Sequence, residues 1–314
     1  MMKENLIAIV GPTGVGKTAL SISLAQKYNG EVISGDSMQV YRGMDIGTAK
    51  VTEEEKKGIP HHLIDFKNPG EDFSVAEFQD RTLPLISNLN EKGKMPILTG
   101  GTGLYVNAII NRYQFQEKEE DSSYRKKLEG WALSAGKEAL YQKLLAVDPD
   151  AKHVIHPNNQ RRVIRALEVF HVTGLPFTKQ QINHPNEEFY HLALIGLTMP
   201  REQLYSRIND RVDKMLEDGL LNEVESLYKQ GLKGVQSVQA IGYKELFEYM
   251  DGEVSLEKAI ENLKQNSRRY AKRQFTWFKN KTNTTWFDMS DGITPKVFQQ
   301  ISDFIEGKIK NISK

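Results

Sequence analysis

The sequence has no cysteine among its 314 residues. This absence excludes disulfide bonds, zinc sites with cysteine ligands and catalysis by a thiolate. Apolar runs of about 18 residues, the length that a membrane span needs, are also missing. The first residues lead directly into a short apolar run at 6–10, which leaves no room for a signal peptide. We therefore expect a cytoplasmic protein that does not enter a membrane.

The chain also lacks a strong excess of charge, since its formal net charge is +1. Charged residues make up 26% and hydrophobic residues 39% of the sequence, as in ordinary globular proteins. The overall charge therefore neither favours nor excludes a nucleic-acid partner. The length allows one large domain, or one domain that carries an insertion.

A glycine-rich segment at residues 11–18, GPTGVGKT, fits the phosphate-loop pattern G-x-x-x-x-G-K-[ST]. It follows an apolar strand-like run and precedes a helix-like stretch, which is the context that the pattern requires. Glycines let backbone N–H groups surround phosphate oxygens, while Lys17 adds charge and the Thr18 hydroxyl can hold Mg²⁺. The segment predicts a site for a di- or triphosphate. Its residues are Gly11, Pro12, Thr13, Gly14, Val15, Gly16, Lys17 and Thr18.

A second strand ending in aspartate, which many phosphate-loop NTPases use to hold Mg²⁺, is missing. The best candidate strand, residues 95–98, runs into TGGTG without a carboxylate. Asp36 instead follows a predicted strand at residues 31–34. Ligands of parallel sheets collect at the carboxyl ends of the strands, so we expect Asp36 to face the bound phosphates. The pattern favours a group-transfer enzyme over an ATPase motor.

Strand and helix signals alternate over the first 113 residues, which predicts a parallel sheet flanked by helices. Ser74 begins a helix that runs to about Asn90, and Pro84 should kink that helix or divide it. From about residue 115 the strand signals stop, and they resume near residue 191. We predict a core of residues 1–114 and 191–314 with an all-helical insertion at 115–190. The alternative is a separate helical domain.

Two basic clusters suggest contact with a polyanion. Arg161 and Arg165 lie four residues apart on a predicted helix, and residues 264–281 interleave seven basic side chains with four aromatic ones. Basic residues bind phosphates and exposed aromatics stack on unpaired bases, so the clusters favour nucleic acid. The alternative for the second cluster is a solvated helix face with its aromatics packed inward.

Arg207 and Arg211 form a further basic pair on the helix that follows Pro200. They could clamp a diphosphate, or they could form salt bridges with neighbouring carboxylates. From the pattern alone, the salt bridges are slightly favoured. The candidate carboxylates are Asp210, Asp213 and Glu217.

Five segments together resemble the bacterial tRNA dimethylallyltransferases, also called tRNA isopentenyltransferases. Beside the phosphate loop these are SGDSMQVYR at 34–42 with DIGTAK at 45–50, GGTGLY at 100–105, NQRRVIRALE at 159–168 and QAIGY at 239–243. The resemblance covers nearly the whole chain in the right order. It implies a P-loop core with a helical insertion that binds the tRNA anticodon arm. Eukaryotic relatives add a C-terminal zinc finger, which a chain without cysteine cannot form.

The resemblance implies transfer of a dimethylallyl group from dimethylallyl diphosphate to N6 of the adenosine 3′-adjacent to the anticodon. Asp36 would accept the proton, and Lys17 and Thr18 would act on the diphosphate with Mg²⁺ beside Thr18. Arg207 and Arg211 would assist in holding the diphosphate. We expect a monomer. The implied tRNA-binding residues are Asp36, Ser37, Met38, Gln39, Thr102, Arg125, Gln160, Arg161, Arg162, Val163, Ile164 and Arg165.

Three other functions remain open from the residues. A small-molecule or nucleotide kinase would share the phosphate loop and Asp36, but it would not use the basic segment at 264–281. An RNA-binding module with an inactive phosphate loop conflicts with the intact Lys17, Thr18 and Asp36. An enzyme that prenylates free AMP would leave the helical insertion without a role.

Overall fold

The computed structural model describes residues 3–113, 122–180 and 188–309. The chain forms two compact units, a core of Met1–Arg112 with Glu188–Lys314 and an insertion of Tyr113–Glu187. These boundaries lie two or three residues from those that the sequence predicts. Within the described ranges, no helix is both long and apolar enough to cross a membrane.

The core is built on a single parallel sheet. Over the described residues its strands lie in the order β3-β2-β4-β1-β5-β6. The strands are β1 Glu4–Val10, β2 Gly30–Ser34, β3 His61–His62, β4 Met95–Gly100, β5 Tyr190–Thr198 and β6 Thr285–Asp288. Strand β5 follows the insertion, yet it pairs with β1 along the whole length of β1. The chain therefore leaves the sheet and returns to it.

Helices cover most of the remaining described chain. They are α1 Lys17–Lys27, α2 Glu53–Lys56, α3 Val75–Glu91, α4 Gly103–Ile110, α5 Ser122–Val147, α6 Gln160–Thr173, α7 Phe177–Gln180, α8 Arg201–Glu217, α9 Leu220–Lys229, α10 Tyr243–Met250, α11 Leu256–Lys281 and α12 Pro295–Lys308. Two short 3₁₀ turns, Pro149–His153 and Ser237–Gln239, complete the pattern.

Strand β1 divides the apolar core between the two faces of the sheet. Leu6 and Val10 pack into a cluster with side chains of α3, α4 and α8 to α11. Ile7 and Ile9 point to the other face and pack with side chains of α1 and α12. A strand that is buried on both faces has to be apolar throughout, which explains the uninterrupted run that precedes the phosphate loop.

Helix α3 is one continuous helix across Pro84, so of the two predicted outcomes, a kink or a division, the division is wrong. A proline inside a helix removes one backbone hydrogen bond and costs about 3 kcal/mol. Phe78 precedes Pro84 and Ile86 follows it, and both are fully buried against the sheet. Burial of these apolar groups on both sides of the proline offsets the lost hydrogen bond.

The described part of the insertion consists of helices joined by turns and contains no strand. Helix α5 is interrupted at Gly136, whose φ of 85° is not helical, so α5 consists of two helical segments. Leu140 and Leu144 of α5 and Val163 and Leu167 of α6 are buried in one core. The insertion therefore has a hydrophobic core of its own, as an independent unit requires.

Candidate active site

The phosphate loop connects β1 to α1 through three glycines with positive φ. These are Gly11 at 145°, Gly14 at 80° and Gly16 at 102°. Residues with a side chain rarely adopt such φ angles, and a Cβ on Gly11 would also lie 2.8 Å from the Leu197 carbonyl oxygen. The glycines therefore turn the chain sharply at the N-terminus of α1, where backbone N–H groups and the helix dipole favour an anion.

Lys17 lies inside this loop. Its ammonium donates to the carbonyl oxygens of Gly11 at 3.0 Å and Pro12 at 2.8 Å. Burial lowers the pKa of Lys17 to about 8, with Asp36 opposing the shift and Arg211 adding to it. A buried ammonium with a lowered pKa is a group that an incoming diphosphate would stabilise strongly.

A cavity of about 790 Å³ opens in front of the loop. Lys17, Thr18, Arg207 and Arg211 line it, and the lysine and the two arginines give this part of the cavity a positive character. The predicted salt bridges of the two arginines are wrong. Asp213 instead pairs with Lys264 at 2.5 Å, and over the described residues neither arginine has a carboxylate within ion-pair distance.

Arg211 is the more buried of the two arginines, and desolvation lowers its pKa while the Asp36 and Glu55 carboxylates oppose the shift. Like Lys17, it is a desolvated cation that faces the cavity rather than a protein carboxylate. The geometry therefore favours the diphosphate clamp over the salt-bridge alternative.

Asp36 lies just beyond the end of β2 and lines this cavity. Its Oδ1 accepts the backbone N–H of Met38 at 2.8 Å, which fixes the side chain in a tight turn. Over the described residues, Oδ2 accepts no hydrogen bond from the protein. One carboxylate oxygen therefore anchors Asp36 and leaves the other for a ligand.

A second cavity of about 330 Å³ adjoins the first and is mostly apolar. Its apolar side chains include Met38, Ile208, Val212, Met215 and Leu263. Ser37 also lines it. The residues that line both cavities are Thr13, Asp36, Thr48, Ala49, Arg211, Met215 and Tyr270. Asp36 therefore stands at the junction between a cationic compartment and an apolar one.

The loop at residues 45–49 lines both cavities and is held in place by hydrogen bonds from its backbone to Glu223. The Glu223 carboxylate accepts backbone N–H groups of Asp45, Ile46 and Gly47 at 2.8 to 3.0 Å. The buried Tyr243 hydroxyl donates to the same carboxylate at 2.6 Å. No motif in the sequence indicated this role for Glu223.

Gln39 also holds the loop at residues 45–49 in place. Its amide nitrogen donates to the Thr48 and Ala49 carbonyls at 3.3 Å, and its amide oxygen accepts from the Ser34 hydroxyl at 3.0 Å. Gln39 thus lines the phosphate-side cavity, as a predicted site residue, but its polar atoms are engaged in shaping the pocket.

A model of the IPP transferase family matches residues 39–281 of the chain. The tRNA dimethylallyltransferase of Halalkalibacterium halodurans is 58% identical over 315 residues, which cover 100% of each chain. The chain belongs to the IPP transferase family. Solved structures place it in the same group. The tRNA isopentenylpyrophosphate transferase of Bacillus halodurans has 57% identity and a TM-score of 0.74, with 98% of this chain and 97% of that one covered.

A eukaryotic dimethylallyltransferase acting on tRNA also matches, with 33% identity and a TM-score of 0.79 over 99% of this chain and 81% of that one. The predicted family and the predicted fold, a parallel sheet of P-loop type flanked by helices, are both confirmed.

The predicted tRNA-binding residues of the insertion divide into two groups. Gln160, Arg161 and Arg162 are exposed on the first turn of α6. Val163 and Ile164 are buried in the core of the insertion, at 1% and 5% exposure. Direct contact of these two side chains with tRNA, which the resemblance implied, therefore disagrees with their burial. They support the helix that presents the exposed residues.

Arg125 and Arg165 share one buried carboxylate. Glu168 is 1% exposed and accepts from Arg125 at 3.0 Å and from Arg165 at 2.9 Å. Both arginine side chains remain partly exposed. The pair of cations neutralises Glu168 and is fixed by it, so α5 and α6 present positioned guanidinium groups.

The basic segment at 264–281 forms the C-terminal part of α11. Most of its aromatics pack against the protein, since Phe278 is fully buried, the Phe275 ring makes a tilted contact with the Trp286 ring at 4.9 Å, and Trp277 lies against Gly103. These three rings therefore agree with the alternative of aromatics packed inward rather than with stacking on bases. The fourth, Tyr270, lines both cavities, and burial beside Asp36 raises its pKa to about 12.

Thr102 occupies the N-cap position of α4, in the turn after β4, without a capping hydrogen bond from its side chain. Its hydroxyl oxygen is buried. The site residues predicted from the sequence include Thr102, but they leave out Tyr270 and Gln274 of α11. Their spacing of four residues on one face of α11 was the available signal.

Proposed function

We propose that the chain transfers a dimethylallyl group from dimethylallyl diphosphate to N6 of the adenosine 3′-adjacent to the anticodon of tRNA. The observation that carries this proposal is the position of Asp36 between the cationic cavity and the apolar cavity. A prenyl diphosphate has the same two parts, an anionic head and a hydrocarbon tail. The reacting carbon lies between them.

The phosphate loop and the nearby cations hold the leaving group. Lys17, Arg207 and Arg211 face the cavity, and the N-terminus of α1 adds its backbone N–H groups. Negative charge develops on the diphosphate as its bond to carbon breaks, so preorganised cations lower the barrier. This role needs no activation of water, which accounts for the missing second aspartate.

The adenine amino group is a poor nucleophile because its lone pair is delocalised into the ring. In the transfer, a bond forms between N6 and the first carbon of the prenyl group, while the bond from that carbon to the diphosphate oxygen breaks. The proton lost from N6 goes to the free Oδ2 of Asp36. Close alignment and general-base catalysis together supply the acceleration.

Thr18 is the residue that fits a Mg²⁺ ion. It lines the phosphate-side cavity, and its side chain is exposed. The described residues contain no cluster of three or more His, Asp or Glu side chains that could hold a metal alone. Mg²⁺ usually binds to one or two protein oxygens and to substrate phosphates. The ion would neutralise charge on the departing diphosphate.

The tRNA partner is supported by family membership and by the exposed arginines of α6. The cationic compartment, the apolar compartment and Asp36 all come from one core unit, so a single chain supplies the site. We propose that the enzyme works as a monomer. Enzymes that modify a base have to take it out of its stack, which requires an open pocket such as this one.

A direct assay distinguishes this function from its alternatives. Purified protein is mixed separately with an anticodon stem-loop, AMP or shikimate, each with either radiolabelled dimethylallyl diphosphate or radiolabelled ATP. We expect transfer of the prenyl label to the stem-loop alone. Mass spectrometry of the digested RNA then locates the group on N6. Phosphorylation of a small molecule without prenyl transfer would establish the kinase instead.

A further inference from the structure

Gln274 connects the phosphate loop to the far end of the chain. Its Oε1 accepts the backbone N–H of Thr13 at 2.8 Å, across 261 residues of sequence. The Gln274 side chain is 6% exposed and lines the phosphate-side cavity. Thr13 itself lines both cavities. The contact therefore fixes the part of the loop that borders the junction where the reacting carbon lies.

The other end of the same amide fits against the turn that follows β4. A Cβ added to Gly101 would lie 2.0 Å from Nε2 of Gln274. Gly101 thus provides the space that lets this amide pass between the β4–α4 turn and the phosphate loop. Thr102, which the resemblance places against tRNA, is the next residue.

We propose that Gln274 is a positioning residue that holds the phosphate loop at Thr13 in a fixed position relative to the turn at Gly101. The inference rests on the proposed function, because it concerns alignment of the prenyl donor with its acceptor. A phosphate loop that can move at Thr13 would still bind diphosphate through Lys17. It would present the reacting carbon in the wrong place, and displacements of about 1 Å can cost about 100-fold in rate.

The key variant is Gln274→Met, which keeps the length of the side chain and removes the acceptor. We expect kcat for prenyl transfer to fall about 10- to 100-fold. The affinity for the anticodon stem-loop and the Kd for dimethylallyl diphosphate should stay within about threefold. The matched control is Gln265→Met, at an exposed position of the same helix, which should behave as the wild type.

Gln274→Glu keeps an acceptor for the Thr13 N–H but adds a negative charge beside the anion. We expect kcat near the wild-type value and a raised KM for dimethylallyl diphosphate. The KM should recover as the pH is lowered toward the ordinary pKa of glutamate, about 4.3, because the neutral acid resembles glutamine. A residue with only a structural role would not separate kcat from KM in this way.

Gly101→Ala approaches the same amide from the opposite side. The added methyl should displace Gln274 and lower kcat in the wild-type background, with little further effect in a Gln274→Met background. Such non-additivity is expected when two changes act through one contact. Wild-type kcat in Gln274→Met, or equal losses in the Met and Glu variants, would overturn the proposal. Absence of prenyl transfer in the wild type would instead refute the proposed function.

Discussion

The lowered pKa of Lys17 makes diphosphate binding dependent on pH. Burial is the main cause of the shift to about 8. With this value, about nine of ten free molecules carry the charged lysine at pH 7 and about one of ten at pH 9. Only the charged form attracts the anion fully, so binding of dimethylallyl diphosphate should weaken as the pH rises through 8. We expect its Kd to increase about tenfold between pH 7 and pH 9.

Isothermal titration calorimetry without tRNA measures this effect directly, because no transfer occurs without an acceptor. Bound diphosphate should raise the pKa of Lys17, so binding at pH 8 should take up about half a proton per molecule. Repeating the titration in buffers with different ionisation enthalpies gives that number. Lys17→Arg is the control, since arginine stays charged throughout this range and should give a flat pH profile.

The neighbours of Lys17 provide a second check on the same argument. Asp36 raises the pKa of Lys17 and Arg211 lowers it. The midpoint of the Kd profile should therefore move to lower pH in Asp36→Asn and to higher pH in Arg211→Met. A wild-type Kd that stays constant from pH 7 to 9, or proton release on binding at pH 8, would refute the reasoning.

Three further predictions concern catalysis, RNA binding and packing. Asp36→Asn should lower single-turnover transfer at saturating substrates by about 10²–10⁴, because the proton acceptor is lost. Replacing Arg161 and Arg162 by Ala should reduce the slope of log affinity for a stem-loop against log salt by about 0.7–0.9 for each phosphate contact removed. Gly47→Ala should destabilise the protein by about 1–3 kcal/mol in thermal unfolding, because the new Cβ would lie 2.6 Å from the buried ring of Tyr243.

Each of these changes has a control and a result that would contradict it. Normal single-turnover rates in Asp36→Asn would assign the proton to another group. For the arginines, Lys229→Ala on α9 removes an exposed cation that pairs with Glu225, and it should leave the salt slope unchanged. For Gly47, the exposed Gly307 has no atom within 4 Å of an added Cβ, so Gly307→Ala should not destabilise. Equal melting temperatures for the two glycine variants would contradict the packing argument.

Local pattern carried the prediction of the phosphate loop. Strand, glycine turn, lysine and helix are adjacent in the sequence, and the three glycines require the backbone that they adopt. Asp36 could be predicted as a site residue in the same way, because it directly follows a strand and the carboxyl ends of parallel strands meet at one edge of the sheet. The boundaries of the insertion were predictable because strand signals stop and resume, and the structure pairs β5 with β1.

Long-range packing decided the rest. Whether Arg207 and Arg211 meet carboxylates or the cavity depends on which helix lies beside α8, and Lys264 of α11 takes Asp213 instead. Val163 and Ile164 lie within a basic stretch, yet the periodicity of α6 directs them into the core of the insertion. Gln274 reaches Thr13 only because α11 packs beside the phosphate loop, where Ala271 and Val15 share one apolar cluster. Sequence fixes what a segment can form by itself, whereas contacts between distant segments exist only once the sheet and its helices have assembled.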